Sequence, residues 1–281
     1  RGRYTIIGSD PDKIWEFNGN KIRIISGKKK KTIKASPYKY LKSLIESFSF
    51  PLPKKLPPIS SLLVGYFSYD VIRYIEKVPD KCLDDLKIPD IRLLRPRTII
   101  IHDNFLKKIY YIKNCFADEK IINYKDYYDE QIKSIKSLIF YSNFKKNKSI
   151  EKKINKKFPV KSNISKKQFK NIVLKAKKYI KRGDIFQVVL SQRFETKLSK
   201  SPLEIYKKLR TTNPSPFMFF FNFSDFQIIG ASPEILVRLR DNKITVRPIA
   251  GTRPRGKTKK EDLFYEKDLL KDKKELSEHL M

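Results

Sequence analysis

Four apolar runs, separated by short turn signals, make up residues 217–250, FMFFFNFSDFQIIGASPEILVRLRDNKITVRPIA. The runs are rich in aromatic and β-branched residues, which favour strands. Ser224-Asp225 and Asp241-Asn242 interrupt them, and these residue types are common turn formers. Consecutive strands joined by such short turns predict an antiparallel α+β fold rather than a doubly wound parallel sheet.

Helix signals lie on both sides of these strands. A capping box, in which Ser165 is followed by Gln168, begins one helix, and Gly183 is a natural C-terminal stop for it. A second capping box, Ser201 followed by Glu204, with Pro202 in the first turn, begins another helix. We expect a helix over 165–183, a strand over 185–195, a helix over 201–210 and an acidic helix over 261–281.

The first half of the chain carries mostly strand patterns. Asn18-Gly19 is typical of a hairpin turn. Residues 141–162 are rich in lysine, asparagine and serine, so they predict a linker between two domains, 1–140 and 163–281. The elements expected in the first domain are hairpins over 14–25 and 97–113, helices over 38–48 and 124–140, and, within 62–79, a strand followed by a helix from near Asp70.

The composition is strongly basic, with a formal net charge of +33. A basic nucleic-acid-binding module is therefore the alternative from a different functional class. The lysines are scattered, however, and the sequence shows no recognition-helix, zinc-finger or aromatic RNA-binding signature. Cys82 and Cys115 form no disulfide framework and fit a reducing cytoplasm. No apolar run in the sequence approaches membrane-spanning length.

Three groups of polar residues are candidates for chemistry, and each has a plainer alternative. Gln187 is either a functional amide or a satisfied core amide within its predicted strand. Glu234 either takes part in chemistry or caps a turn. Glu275 and Glu278 share a helix face, where two carboxylates either hold a hard divalent cation or are solvated.

The loop PIAGTRPRG, residues 248–256, contributes two glycines and two arginines. Gly251 and Gly256 permit backbone angles that other residues avoid, so the loop could lay its N–H groups against a ligand. Arg253 and Arg255 suit an acidic ligand, or they belong to an exposed basic loop that the proline between them stiffens. Residue types alone leave that choice open.

Seven motifs follow one another along the chain: GRYTIIGSDPD, VGYFSYDVIRYIEKVP, GDIFQVVLSQRF, NPSPFMFFF, IIGASPE, PIAGTRPRG and KKELSEHLM. In this order they resemble the anthranilate synthase component I family of chorismate-utilising enzymes. The resemblance covers nearly the whole chain, and its motifs are long and specific. Because the first residue is not methionine and the last residues read as helix, we expect a fragment without the family's extreme N-terminus and C-terminal part.

The resemblance implies a fold and a reaction. The fold is mainly antiparallel sheets packed as a sandwich with flanking helices. The enzyme is a lyase that converts chorismate and ammonia to anthranilate and pyruvate, the first step of tryptophan biosynthesis. Glu234 matches the general acid for the departing hydroxyl. Gly251 and Thr252 match the contacts to the ring and its carboxylate, and Glu278, with Glu275 beside it, matches the Mg²⁺ site.

Partners and regulation also follow from the resemblance. Ammonia would come from glutamine through a separate glutamine amidotransferase subunit. Pro216, Phe217 and Met218 match part of the site for the feedback inhibitor tryptophan, although the same run is typical of a buried strand. No nucleic acid or membrane is expected as a partner. Because the family's C-terminal part supplies further active-site residues, the fragment alone is expected to be inactive.

Ala250 and Gln187 distinguish this activity from the sister activities. In aminodeoxychorismate synthases the position that matches Ala250 is typically a lysine that attacks the ring. In isochorismate and salicylate synthases the position that matches Gln187 is typically a lysine that activates water. Alanine cannot attack the ring, and glutamine cannot activate water as a base. These two residues therefore favour ammonia as the nucleophile, and the sister enzymes remain as alternatives. We therefore count Ala250 among the substrate contacts, and Gln187 and Thr252 among the catalytic residues.

Overall fold

The chain divides into two compact units, Arg1–Lys145 and Lys146–Met281. Every strand pair among the described residues is antiparallel, and helices accompany the strands in both units. The predicted α+β fold class is therefore confirmed. Most of the predicted linker, positions 142–157, lies outside the described residues. The computed structural model describes residues 2–48, 51–116, 123–141 and 158–281.

One six-stranded sheet forms the first unit. Its strands are β1 (Tyr4–Asn18), β2 (Lys21–Ser26), β3 (Lys29–Lys34), β4 (Val64–Phe67), β5 (Ile91–Asp103) and β6 (Lys108–Lys113). The long strands β1 and β5 pair along nearly their whole length, from Tyr4 opposite Asp103 to Phe17 opposite Ile91. The strands β2 and β3 extend the sheet beyond β1, whereas β4 and β6 pair with successive parts of the other edge of β5.

The core of the first unit forms where helix α1 (Pro37–Ser47) packs on this sheet. Tyr40, Leu41 and Leu44 of the helix pack against the buried side chains. Burying an apolar side chain of this size stabilises the fold by about 1.5–3 kcal/mol, so this cluster is a main source of the unit's stability. Its buried members are Trp15, Phe17, Ile22, Ile91 and Leu93.

Most local predictions for the first unit are confirmed. Both hairpins form, and helices occupy Pro37–Ser47 and α2 (Tyr124–Tyr141). The helix expected from Asp70 is instead a short 3-10 helix, Tyr69–Tyr74. Its Val71 and Tyr74 both pack on the core cluster. Residues three apart lie on one side of a 3-10 helix, so both side chains can face the core.

The second unit combines four helices with short two-stranded ladders among the described residues. The helices are α3 (Lys166–Lys181), α4 (Pro202–Thr212), α5 (Lys259–Lys271) and α6 (Lys273–Leu280). The strands are β7 (Lys161–Ser162), β8 (Phe194–Glu195), β9 (Phe217–Asn222), β10 (Gln227–Ser232), β11 (Arg238–Arg240) and β12 (Lys243–Thr245). The helix starts at Ser165 and Ser201 are both capping boxes, as predicted. Asp241 and Asn242 have φ values of +51° and +57°, the backbone of a tight hairpin turn.

Two element predictions for the second unit are wrong. The strand over 185–195 is irregular except at Phe194–Glu195, which pairs with Lys161–Ser162. A strand requires a hydrogen-bonded neighbour, and among the described residues the ladder with Lys161–Ser162 reaches only the last two positions of the predicted strand. The acidic helix over 261–281 is two helices, because Asp272 leaves helical geometry at ψ 114° and caps the second one.

Candidate active site

The loop PIAGTRPRG, residues 248–256, follows β12 and lies directly on helices α5 and α6. Gly251 has a φ of +72°, in the left-handed region. A Cβ atom at this position would lie 2.9 Å from Glu275 Oε2 and 2.9 Å from Leu269 Cδ1. Glycine suits this position for two reasons: the backbone is left-handed, and a Cβ atom would require the ends of the Glu275 and Leu269 side chains to shift.

The second glycine of the loop makes a similar contact with the first turn of α5. A Cβ atom at Gly256 would lie 2.2 Å from the backbone nitrogen of Asp262. The Gly256 N–H donates to Asp262 Oδ1 at 2.8 Å, and the Lys257 N–H donates to Glu261 Oε2 at 2.6 Å. These backbone donors hold the loop on the protein's own helix, so the expectation that they face a ligand is not met at these two positions.

Arg253 connects the loop to both helices. Its Nε donates to Asp268 Oδ2 at 2.6 Å, and its Nη2 donates to Asp272 Oδ2 at 2.7 Å. Its Nη1 donates to the carbonyl oxygen of Thr252 at 3.1 Å and lies 4.0 Å from Glu275 Oε1. The guanidinium fork thus reaches the loop backbone, the end of α5 and the start of α6 at once.

These contacts answer the question that the sequence left open about the two arginines. The acids facing Arg253 belong to the chain itself, and only 21% of its side chain is exposed. The Arg253 guanidinium holds the pKa of the Asp272 carboxyl below its ordinary value, since it stabilises the charged form. Arg255 is exposed and pairs with Asp262 at 3.1 Å. Arg253 is therefore held by acids of the chain itself and does not stand in a free basic loop.

Glu234 touches the same loop from the opposite end. Its Oε1 accepts the Ile249 N–H at 3.2 Å, one residue before Ala250. Glu234 is exposed, although a partly buried carboxyl was expected for a general acid. It follows β10 in an irregular turn, and nothing in the described part of the chain covers it. The structure therefore brings Glu234, Ala250, Gly251 and Glu275 around one loop.

Glu275 and Glu278 lie on α6, as the spacing predicts. Asp272 Oδ1 accepts the N–H groups of Lys274 and Glu275, at 2.9 and 3.2 Å, and so fixes the first turn of this helix. The Glu275 side chain is 17% exposed, whereas Glu278 is exposed. The described residues hold no group of three or more potential metal ligands. The two carboxylates fit Mg²⁺ as hard oxygen donors and as part of its six-coordinate shell.

Two other groups of predicted residues belong to other segments. Gln187 is exposed in the irregular stretch before β8, and among the described residues no hydrogen bond joins its side chain to Glu234 or to the loop. The predicted tryptophan-site residues Pro216, Phe217 and Met218 lie at the start of β9. Met218 is half-buried, and its Sδ accepts the Ser215 N–H at 3.4 Å. Their predicted roles remain predictions.

The sequence interpretation missed Asp268 and Asp272, which anchor Arg253. A signal for them was present, because Asp268, Asp272 and Glu275 have i, i+4 and i+7 spacing and so favour one face of a helical segment. Asp272 also precedes Lys273-Lys274, as a capping residue precedes a helix.

Comparison with known proteins identifies the fold that carries this loop. The sequence matches the family described as chorismate binding enzyme over residues 4–281. The chain belongs to this family. The resemblance inferred from the seven motifs is thereby confirmed, and the nucleic-acid-binding alternative is not favoured.

None of the helices in the described part of the chain has the length and apolar character that a membrane span requires.

Several relatives of this chain are named anthranilate synthase component 1. The chain is 41% identical over 286 residues to anthranilate synthase component 1 of Cereibacter sphaeroides, covering 100% of this chain and 57% of that protein. It is 41% identical over 251 residues to the Aquifex aeolicus protein of the same name, covering 87% and 49%. The crystal structure of anthranilate synthase component I from Streptococcus pneumoniae TIGR4 superposes with a TM-score of 0.83 at 27% identity, covering 100% and 59%. The chain thus spans only about half to three-fifths of these relatives.

Gly251→Ala tests the close approach of the loop to α6. We expect it to lower the free energy of unfolding by about 2–4 kcal/mol, from left-handed backbone strain together with the contact to Glu275. Gly183→Ala is the matched control, because Gly183 has a φ of +79° but nothing within 4 Å of its would-be Cβ. Chemical denaturation should show a loss of only about 1–2 kcal/mol for the control. Equal losses would show that the contact with Glu275 contributes nothing.

Proposed function

We propose that the whole gene product containing residues 1–281 is an anthranilate synthase aminase component. It converts chorismate and ammonia to anthranilate, pyruvate and water. The observation that carries this proposal is the contact of Gly251 with Glu275, which joins the predicted substrate loop to the predicted metal helix. The similarity to proteins named anthranilate synthase component 1 supports it independently.

The loop would bind chorismate, and α6 would bind the Mg²⁺ ion that accompanies it. Gly251 and Thr252 contact the ring and its carboxylate, and Thr252 is exposed and therefore accessible. Glu275 and Glu278 would hold Mg²⁺ through their carboxylate oxygens. When bound, the metal supplies positive charge that offsets repulsion between the dicarboxylate substrate and the enzyme's carboxylates.

Glu234 would act as the general acid. Ammonia forms a bond to a ring carbon while the C4–O bond breaks, and hydroxide is a poor leaving group unless it receives a proton. Glu234 gives that proton, so the hydroxyl leaves as water. Elimination of pyruvate from the amino intermediate then yields the aromatic ring. The hydrogen bond from the Ile249 N–H orients the Glu234 carboxyl towards the segment that carries Ala250.

Two side chains favour ammonia over other nucleophiles. The methyl group of Ala250 cannot attack the ring, which argues against the aminodeoxychorismate synthase activity. The amide of Gln187 is not a useful base near neutral pH, which argues against addition of water. Ammonia needs no base, and a glutamine amidotransferase subunit is proposed to supply it.

Glu278→Gln tests the metal role together with the reaction. The whole gene product is assayed for anthranilate fluorescence with chorismate, Mg²⁺ and ammonium salts, and wild type is expected to be active. The variant should lose about a hundredfold or more of this Mg²⁺-dependent turnover, because a neutral amide keeps the shape but not the charge that a hard cation prefers. Circular dichroism controls for folding. An active, folded Glu278→Gln variant would remove Glu278 from the metal site, whereas an inactive wild type would refute the proposed reaction.

Gln187→Lys tests the choice of nucleophile. A lysine at this position could act as the base that activates water, so we expect the variant of the whole gene product to form some hydroxylated product from chorismate when ammonia is withheld. Chromatography of the products, with and without ammonium salts, distinguishes the outcomes. A hydroxylated or 4-amino product from wild type would assign one of the sister activities instead.

Tryptophan regulation is proposed for the start of β9. An indole requires an apolar slot with a polar end, and half-buried Met218 beside exposed Pro216 offers the apolar part. Calorimetry of the whole gene product should detect tryptophan binding, and Met218→Ala should weaken it by about tenfold, since one truncated side chain removes roughly 1–3 kcal/mol. Exposed Leu236→Ala is the control. No heat of binding in wild type would leave this segment as an ordinary strand.

A further inference from the structure

The hydrogen bonds of Arg253 extend from the substrate loop to the cap of the metal helix. Its Nη1 holds the carbonyl of Thr252, so the guanidinium is fixed to the residue proposed to contact substrate. Its Nη2 bonds Asp272 Oδ2, while Asp272 Oδ1 accepts the N–H groups that begin α6. The Asp272 carboxylate therefore accepts a hydrogen bond from the loop at Oδ2 and hydrogen bonds from the first turn of α6 at Oδ1.

The geometry requires a planar fork with several donors. Nε reaches Asp268 while Nη2 reaches Asp272, and a third nitrogen remains for Thr252. A lysine at this position has a single nitrogen on a flexible stem, so it cannot reproduce the three directions at once. The arginine also compensates the charge of Asp268 and Asp272, two carboxylates that would otherwise repel an approaching dicarboxylate.

We infer that Arg253 is a positioning residue, which sets the distance between the substrate loop and the Mg²⁺ helix without touching substrate. The inference rests on the proposed function of Thr252, Glu275 and Glu278. Displacement of a reacting group by about 1 Å can cost a hundredfold in rate, so small shifts of this loop against α6 have large effects. Binding of Mg²⁺ and binding of chorismate are consequently coupled through one side chain.

Arg253→Met, Arg253→Lys and the control Arg255→Met test this inference in the whole gene product. Arg253→Met should lower kcat/KM for chorismate by about a hundredfold and raise the Mg²⁺ concentration for half-maximal activity by about tenfold. Arg253→Lys should fall between it and wild type. Arg255→Met should stay within about twofold, because Arg255 is 90% exposed and such ion pairs contribute little.

The shift in Mg²⁺ half-saturation separates positioning from general stability. A variant that is merely less stable has less folded enzyme, which lowers the maximal rate and leaves the half-saturation constants unchanged. Wild-type half-saturation for both Mg²⁺ and chorismate in folded Arg253→Met would overturn the inference. Combining Arg253→Met with Asp268→Asn should cost little more than Arg253→Met alone, because both changes remove the same contact.

Hydrogen exchange tests the connection independently of catalysis. In Arg253→Met the amides of Lys274 and Glu275, which Asp272 caps, should exchange at least several-fold faster, together with the amide of Ile249. Arg255→Met should leave these three unchanged. If wild type makes no anthranilate, the proposed reaction fails while faster exchange still supports the connection. If anthranilate forms but exchange and half-saturation are unchanged in Arg253→Met, the reaction is retained and the positioning role is refuted.

Discussion

The candidate site depends on the hydrogen bonds of the Arg253 guanidinium. It bonds the Thr252 carbonyl, Asp268 and Asp272, so the loop PIAGTRPRG and the start of α6 are held as one piece. Gly251 lies close to Glu275, where a Cβ atom would come within 2.9 Å of Glu275 Oε2. Although the chain has a net charge of +33, this arginine bonds carboxylates of the protein itself.

The two glycines and the arginine of the loop together allow it to pack on α5 and α6. Gly251 and Gly256 remove the side chains that would separate the loop from α6 and α5, and Arg253 pairs with Asp268 of α5 and with Asp272, the cap of α6. The residue types that first indicate a loop for an acidic ligand are thus used to dock the loop on its own helices. Thr252 is exposed, and Glu234 bonds the Ile249 N–H next to Ala250, so these positions are accessible to a ligand.

Features that depend on neighbouring residues in the sequence could be predicted. The capping boxes at Ser165 and Ser201 and the turn at Asp241-Asn242 involve contacts within a few residues, and all are confirmed. The strand predicted over 185–195 is mostly irregular, because an apolar pattern does not supply the hydrogen-bonded neighbour that a strand requires. The arginine partners were missed for a similar reason, since Arg253 bonds residues 15 and 19 positions away. The family resemblance assigned roles to individual residues where residue patterns alone left alternatives open. The contact of Gly251 with Glu275 is consistent with those roles.

A crystal structure of the whole gene product with Mg²⁺ and a non-reactive chorismate analogue would show directly whether the loop and α6 hold substrate and metal together. We expect Mg²⁺ bound to a Glu278 oxygen at about 2.1 Å, with the analogue's ring carboxylate beside Gly251 and Thr252. We also expect Arg253 still to donate to Asp268 and Asp272. An Arg253 side chain that has left both carboxylates to bind the analogue would refute its positioning role.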